Sequence, residues 1–322
     1  MRENVGLYDM SSFGKILVDG QDAEAFLNYI CGADLSVPAG KIVYTQFLNP
    51  RGGIEADVTV TRLDETRYLV VTPAATLVRD LSWMRRHQDS YRVTLVDVAA
   101  SEAVVAVMGP HSRRLLEIAA PWHDWSNRNH PFGIAKTIEI GMGHARAHRV
   151  SYVGELGWEI YAPSDQGCHV LETLLAAGED MNLKLCGMHA MDSCRIEKAF
   201  RHFGHDITEE DHVLEAGLGF AVSTAKPHFI GREAVLRKKE DGVHRRMVRF
   251  CLLDPESLLY HAEPIIREGN WSAISHRATL VTRWEAQSIS ATYRAPAKMP
   301  PVFWHPDMKS KLRGRGSRRR PR

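Results

Sequence analysis

The chain has 322 residues, 44% of them hydrophobic and 25% charged, with 41 Lys and Arg against 39 Asp and Glu for a formal net charge of +2. A chain of this length buries a core and holds two or three compact units. Its apolar runs, such as residues 103–108, are too short to cross a bilayer, which excludes a helical membrane protein. The charge is unevenly spread. From Asp307 to Arg322 the net charge is +7, leaving −5 for the rest. Such a terminal run reads as a solvated tail, and the mildly acidic body has no nucleic-acid footprint. No apolar stretch follows Met1-Arg2-Glu3-Asn4, so no secretory signal is read there. Five scattered cysteines (Cys31, Cys168, Cys186, Cys194, Cys251) suit reduced thiols and a cytoplasmic setting.

In chain order, residues 15–19 read as a short strand and 21–30 as a helix with Phe26, Leu27 and Ile30 on one face. Residues 54–63 alternate cleanly, with Ile54, Ala56, Val58 and Val60 on one side and Glu55, Asp57, Thr59 and Thr61 on the other. Residues 68–72 read as the hairpin partner of that strand. Residues 103–108 are a buried strand, punctuated by Gly109-Pro110 before a helix over 111–119. Residues 146–152 and 158–161 flank a glycine-bearing turn, as a hairpin would. Helices follow over 165–178 and 187–200, the second carrying Met188, Met191 and Arg195 at helical spacing. Residues 232–246 suggest a helix and linker, and 247–253 begins a strand-like region opening a small β domain.

Glycine-rich phosphate loops and a G-x-S-x-G elbow are absent from the sequence. His144/His148 and His202/His205 have spacings that would pair two imidazoles on a helix, but a third and fourth ligand are missing, so no metal site is expected. Asp57 lies in mid-strand after the loop Asn49-Pro50-Arg51-Gly52-Gly53. It is either solvent-facing or aimed into a cleft, where desolvation would tune it for proton handling. Glu159, between Trp158 and Ile160, poses the same alternative. A carboxylate also suits an amidine-like ligand edge, because two oxygens meet two parallel N–H donors.

Gly6-Leu7-Tyr8-Asp9-Met10, Tyr44-Thr45-Gln46-Phe47-Leu48-Asn49 and Gly52-Gly53-Ile54-Glu55-Ala56-Asp57 resemble successive signatures of the folate-binding region of sarcosine and dimethylglycine dehydrogenases. The likeness continues through Val107-Met108-Gly109-Pro110, Ser151-Tyr152-Val153-Gly154-Glu155-Leu156-Gly157-Trp158-Glu159 and Arg195-Ile196-Glu197-Lys198-Ala199-Phe200-Arg201. It runs on to Gly204-His205-Asp206-Ile207, Leu214-Glu215-Ala216-Gly217 and Phe229-Ile230-Gly231-Arg232-Glu233. The same region is similar to the aminomethyltransferase of the glycine cleavage system. This resemblance implies an α+β, three-lobed cloverleaf aminomethyltransferase-like fold. Residues 1–230 would form two interleaved α+β lobes, and 231–269 would start a small, incomplete C-terminal β-barrel. It implies tetrahydrofolate as cofactor and transfer of a one-carbon unit, derived from an N-methyl amine, to give 5,10-methylenetetrahydrofolate. Asp57 would assist transfer as the catalytic residue, Glu159 would hold the pterin, and Tyr152, Tyr44 and Arg195 would complete the folate site. Glycine-cleavage proteins carry a ligand-binding arginine where this chain has Met191, which favours the dehydrogenase branch.

Family members place a flavin domain before this region, so FAD enters only through a separate or missing domain, and a flavoprotein subunit is the expected partner. Non-catalytic folate binding or regulation, an inactive remnant, and the aminomethyltransferase of glycine cleavage are the alternatives. Beyond residue 269 the family text gives way. One choice of codons for Asn270 to Ser288, read a base out of phase, spells L-V-G-Y-L-T-S-G-D-F-G-H-T-L-G-G-S-V, including the family's G-H-T-L. A frameshift near Gly269 is therefore expected, with 270–322 an aberrant, disordered basic tail.

Overall fold

The computed structural model describes residues 1–251, 264–267, 270–281 and 286–294, with side chains described as far as Arg249. The chain opens with β1 (Gly6–Asp9), then leaves that sheet to build another from β2 (Gly14–Asp19), β3 (Ile42–Leu48), β4 (Ile54–Arg62), β5 (Arg67–Thr72) and β6 (Thr94–Asp97). These five strands are antiparallel in the order β3-β4-β5-β2-β6. Between them run α1 (Ala23–Ile30) and α2 (Leu77–Arg86). α1 buries Ala23, Phe26, Leu27 and Ile30, the stripe its 3.6-residue period places on one face.

The chain then returns to β1. β7 (Glu102–Met108), α3 (Ser112–Ala119), β8 (Ala135–Ile140), β9 (Gly143–His148), β10 (Gly157–Pro163), α4 (Gly167–Ala177) and β11 (Lys184–Leu185) follow. They complete a six-stranded sheet ordered β11-β1-β7-β10-β9-β8. β1 thus belongs to a sheet whose other strands lie about a hundred residues further on, which interleaves the two units.

Strand alternation decides how the sheets pack. Ala56, Val58, Val60, Tyr68 and Val70 meet α1 and α2 in one core. Val105, Val107, Trp158 and Ile160 meet α3 and α4 in another. The opposite faces, with Leu69 and Val71 from the first sheet and Tyr8, Val104, Ala106, Met108 and Tyr161 from the second, share a third cluster. The two sheets therefore pack face to face, with helices outside both. Burying each large aliphatic side chain in that middle layer contributes roughly 1.5–3 kcal/mol.

α5 (Met188–Glu197) ends three residues short of the expected 200, where Ala199 adopts φ +57 and breaks the helical path. A fourth cluster joins the β3–β4 hairpin end (Leu48, Ile54) to Phe203, Ile207, Val213 and Leu218. It also takes in Val235 of α6 (Arg232–Asp241) and Met247 of β12 (Arg245–Cys251). β13 (Pro264–Arg267), β14 (Asn270–Val281) and β15 (Ala286–Arg294) join β12 in an antiparallel sheet ordered β12-β15-β14-β13. β14 and β15 are paired strands where the sequence reading places the start of a tail. The arginine-rich residues 307–322 lie outside the described residues.

Three sequence readings change. The expected hairpin over 146–161 forms as the antiparallel pair β9 and β10, but its first strand ends at His148 and an eight-residue loop, 149–156, joins the two, so Tyr152 sits on a loop. The tight hairpin partner of β9 is β8, a strand the alternation reading passed over. His144 and His148 lie on strand β9, one exposed and one buried, so they do not share a helix face.

Candidate functional site

β3 and β4 pair antiparallel with Gln46 directly opposite Asp57. Because Ala56 and Val58 turn toward the helix-covered core, Asp57 points the other way, with Leu69 and Val71, at the six-stranded sheet. From that sheet Glu159 shares its strand face with Tyr161, a member of the inter-sheet cluster. The two carboxylates singled out in the sequence thus come from opposing sheets and project into one middle layer.

Asp57 is surrounded by protein yet keeps some accessible surface, as a group on a cleft floor does. Gln46 Nε2 donates to its Oδ1 at 2.8 Å, and the Tyr44 hydroxyl lies close enough to act on its charge. Desolvation raises its pKa to about 6. The Gln46 hydrogen bond, the nearby Tyr44 hydroxyl and the charges of Arg201 and His202 pull the other way. The Oε1 of Gln46 is buried and has no partner among the described residues, an unfilled acceptor beside Asp57.

Glu159 is 8% exposed and accepts the Tyr161 hydroxyl on Oε2 at 2.8 Å. Burial lifts it to about 7, with the Tyr161 hydrogen bond opposing the shift. The Tyr161 ring stacks on His148 at 4.2 Å, which fixes the hydroxyl that orients Glu159.

Two aromatic pairs lie beside Asp57. Tyr44 stacks with Phe220 at 6.1 Å and 27°, and Phe220 is 79% exposed. The Tyr152 ring lies 14° from parallel to Phe200 at 6.1 Å, and its hydroxyl donates to the Arg201 carbonyl at 2.5 Å. Burial raises the pKa of both tyrosines, so both hydroxyls stay protonated and act as donors. Arg201 is anchored by its Nε on the Ala216 carbonyl at 2.9 Å and by its Nη1 on the Ala199 carbonyl.

Arg195 differs from the other four expected residues. It is fully buried, bonding Asp192 at 2.8 Å, the Phe200 carbonyl at 3.0 Å, and Asp206. Its Nε and Nη1 hold α5 to the turn that follows it, while its Nη2 is buried without a hydrogen-bond partner among the described residues. The structure therefore brings Asp57, Tyr152 and Glu159 to the inter-sheet layer, sets Tyr44 at its edge against the hairpin-end cluster, and holds Arg195 within α5 and the turn after it. Sequence reasoning missed Gln46, Arg201 and Phe220. Gln46 was readable, because it lies two residues from Tyr44 on one strand face; Arg201 sits in an irregular segment and Phe220 in a single 3-10 turn, both too short to show a period. Among the described residues no group of three or more His, Cys, Asp or Glu is placed to hold a metal ion. Nor is any described helix long and apolar enough to cross a membrane.

Residues 1–226 match the GCVT N-terminal domain family. The chain is 42% identical over 269 residues to the formaldehyde-forming 4-methylaminobutanoate oxidase of Paenarthrobacter nicotinovorans, covering 83% of this chain and 32% of that protein. It is 34% identical over 286 residues to the mitochondrial sarcosine dehydrogenase of Homo sapiens, covering 83% and 31% respectively. The chain thus spans about a third of the length of these two relatives. The crystal structure of the glycine cleavage system aminomethyltransferase T from Bartonella henselae superposes with a TM-score of 0.81 at 25% identity, covering 91% of this chain and 79% of that one.

Proposed function

The chain belongs to the GCVT aminomethyltransferase family, and we propose that its inter-sheet cleft binds a reduced folate and passes a one-carbon unit to it, as the folate half of an N-methyl amine dehydrogenase. The observation that carries this is the pair of desolvated carboxylates, Asp57 and Glu159, raised to about 6 and about 7 on facing sheets. Structural ion pairs also shift carboxylates, but neither of these has a cation within salt-bridge distance among the described residues.

The residues present fit a tetrahydrofolate. Gln46 Oε1 lacks a donor, Tyr44 and Tyr152 offer flat apolar faces, and Glu159 offers a carboxylate to a two-donor ring edge. The folate, when bound, supplies the nitrogen that accepts the carbon. Asp57, with a pKa close to working pH, holds or releases a proton at that nitrogen, and Gln46 fixes the carboxyl in place. Glu159 orients the ring, and Tyr161 orients Glu159. Walls built from two sheets keep water from a hydrolysable one-carbon electrophile. Oxidation of the amine falls to a flavoprotein, in the same chain or as a separate partner.

A second reading, the aminomethyltransferase of glycine cleavage, is favoured by the likeness to the Bartonella protein. Met191 weighs against it. At the position where the glycine-cleavage resemblance expects an arginine, this chain has an apolar side chain 1% exposed in the inter-sheet core.

The test is an Asp57→Asn variant, assayed for folate binding and for one-carbon transfer with a flavoprotein amine oxidase supplying the electrophile. Retained binding with transfer reduced about 10²-fold or more supports the reading. Equal transfer by both proteins reduces the cleft to a binding module.

A further inference from the structure

Arg201 is partly buried, and the structure gives it no carboxylate within salt-bridge distance among the described residues. Two of its three nitrogens are used on main-chain oxygens, Nε on Ala216 and Nη1 on Ala199. These bonds fix the guanidinium plane. Its Nη2 makes no hydrogen bond among the described residues. The chain beside Nη2 is Gly217, at φ +74, where a Cβ would lie 2.8 Å from that nitrogen. The backbone has therefore been cleared of a side chain to let the guanidinium lie flat against it. Tyr44, Asp206 and Asp57 all act electrostatically on Arg201, and the Tyr152 hydroxyl bonds its carbonyl, which places the residue at the Asp57 end of the inter-sheet layer. Tyr152, bonded to the Arg201 carbonyl, adds an aromatic wall beside it.

A guanidinium held rigidly, desolvated in part and left without a counter-ion is a receptor for an anionic oxygen. Arg195, by contrast, already carries its counter-ions, Asp192 and Asp206. We propose that Arg201 is a binding residue for a carboxylate carried into the cleft by the ligand, and that it makes this site selective for carboxylated substrates. The inference rests on the folate reading. The carboxylate has two sources, the glutamate end of the folate or the acid group of an N-methyl amino acid that donates the carbon. Neutral pterins and simple N-methyl amines would lack the contact.

The experiment titrates wild type, Arg201→Gln and Arg201→Lys calorimetrically with tetrahydrofolate and with its glutamate dimethyl ester. Each protein is then titrated, in the presence of tetrahydrofolate, with sarcosine and with dimethylamine. Thermal melts establish that each variant is folded. If the folate is the source, wild type prefers the free acid by roughly tenfold or more and Arg201→Gln erases that preference. If the donor is the source, the folate pair binds alike, while sarcosine binding falls by a similar factor in Arg201→Gln and dimethylamine binding does not change. Arg201→Lys, which keeps the charge, retains part of either preference and decides the matter if the glutamine variant does not fold. Wild type and folded variants indistinguishable on all four ligands overturn the role of Arg201 and leave the folate site standing. No tetrahydrofolate binding by wild type overturns both.

Discussion

Gln46 and Asp57 face each other across the β3–β4 ladder, with the Gln46 amide nitrogen 2.8 Å from the carboxylate it steadies. That donor orients the acid and draws its pKa down, but desolvation outweighs it and leaves Asp57 at about 6. Folding therefore favours the protonated form of this side chain. The unfolded group ionises near pH 3.9, so stability falls as pH rises from about 4 to about 6 and stays lower above that. The cost is at most about 3 kcal/mol, less after allowance for the accessible surface of Asp57. Asp57→Asn is expected to be more stable than wild type at pH 8, with the gain shrinking toward pH 4. Urea melts at both values check this; a variant no more stable than wild type at pH 8 contradicts the desolvation account.

Glu159 titrates near 7, again through burial. If its carboxylate pairs with ring N–H donors, folate affinity rises with pH from 6 to 8. Glu159→Gln keeps an acceptor for the Tyr161 hydroxyl but lacks the charge. It is expected to bind folate roughly 10–100-fold more weakly at pH 8, with little pH dependence. Binding isotherms at the two pH values separate these outcomes.

Arg195 and Asp206 form a pair with no exposed side-chain surface on either partner. Removing one member leaves the other charged and dry, at a cost of about 3–5 kcal/mol. Arg195→Met is expected to lower the denaturation midpoint sharply, whereas ligand affinity measured on the fraction that folds should change little. A stable Arg195→Met protein with lost folate affinity would restore Arg195 to the ligand shell.

Phe220 is 79% exposed and touches Tyr44 from the solvent side. Phe220→Ala should leave stability within about 0.5 kcal/mol. Folate affinity should weaken severalfold as a wall of the cleft is lost. Unchanged affinity would remove Phe220 from the site.

Gly217→Ala meets two obstacles, a positive φ of +74 and the Arg201 Nη2 at 2.8 Å. About 1 kcal/mol or more of destabilisation is expected, together with a weaker preference for carboxylated ligand. Denaturation and ligand titration report the two effects separately.

Much of this was readable in the residues because strands declare themselves by period two. Ile54, Ala56, Val58 and Val60 alternate with Glu55, Asp57 and Thr59, and that pattern sends Asp57 off the helix-covered core. Alternation cannot say what lies opposite the polar face. That depended on β1 pairing with β7 and bringing a second sheet against the first, a long-range contact with no local signature. Tyr152 and Arg201 sit on loops whose path is set by single hydrogen bonds and by Ala199 at φ +57, which no periodicity encodes. Arg195 lay at helical spacing with Met191, and spacing alone does not tell a ligand-facing arginine from one sealed by Asp192 and Asp206.

The most direct measurement is calorimetric titration of the full chain with tetrahydrofolate, run beside Glu159→Ala. The account predicts saturable binding with one site per chain, lost or greatly weakened in the variant while its melting profile stays cooperative. A well-folded wild-type chain that takes up no tetrahydrofolate, or a variant that binds it equally well, would contradict the assignment of the inter-sheet cleft.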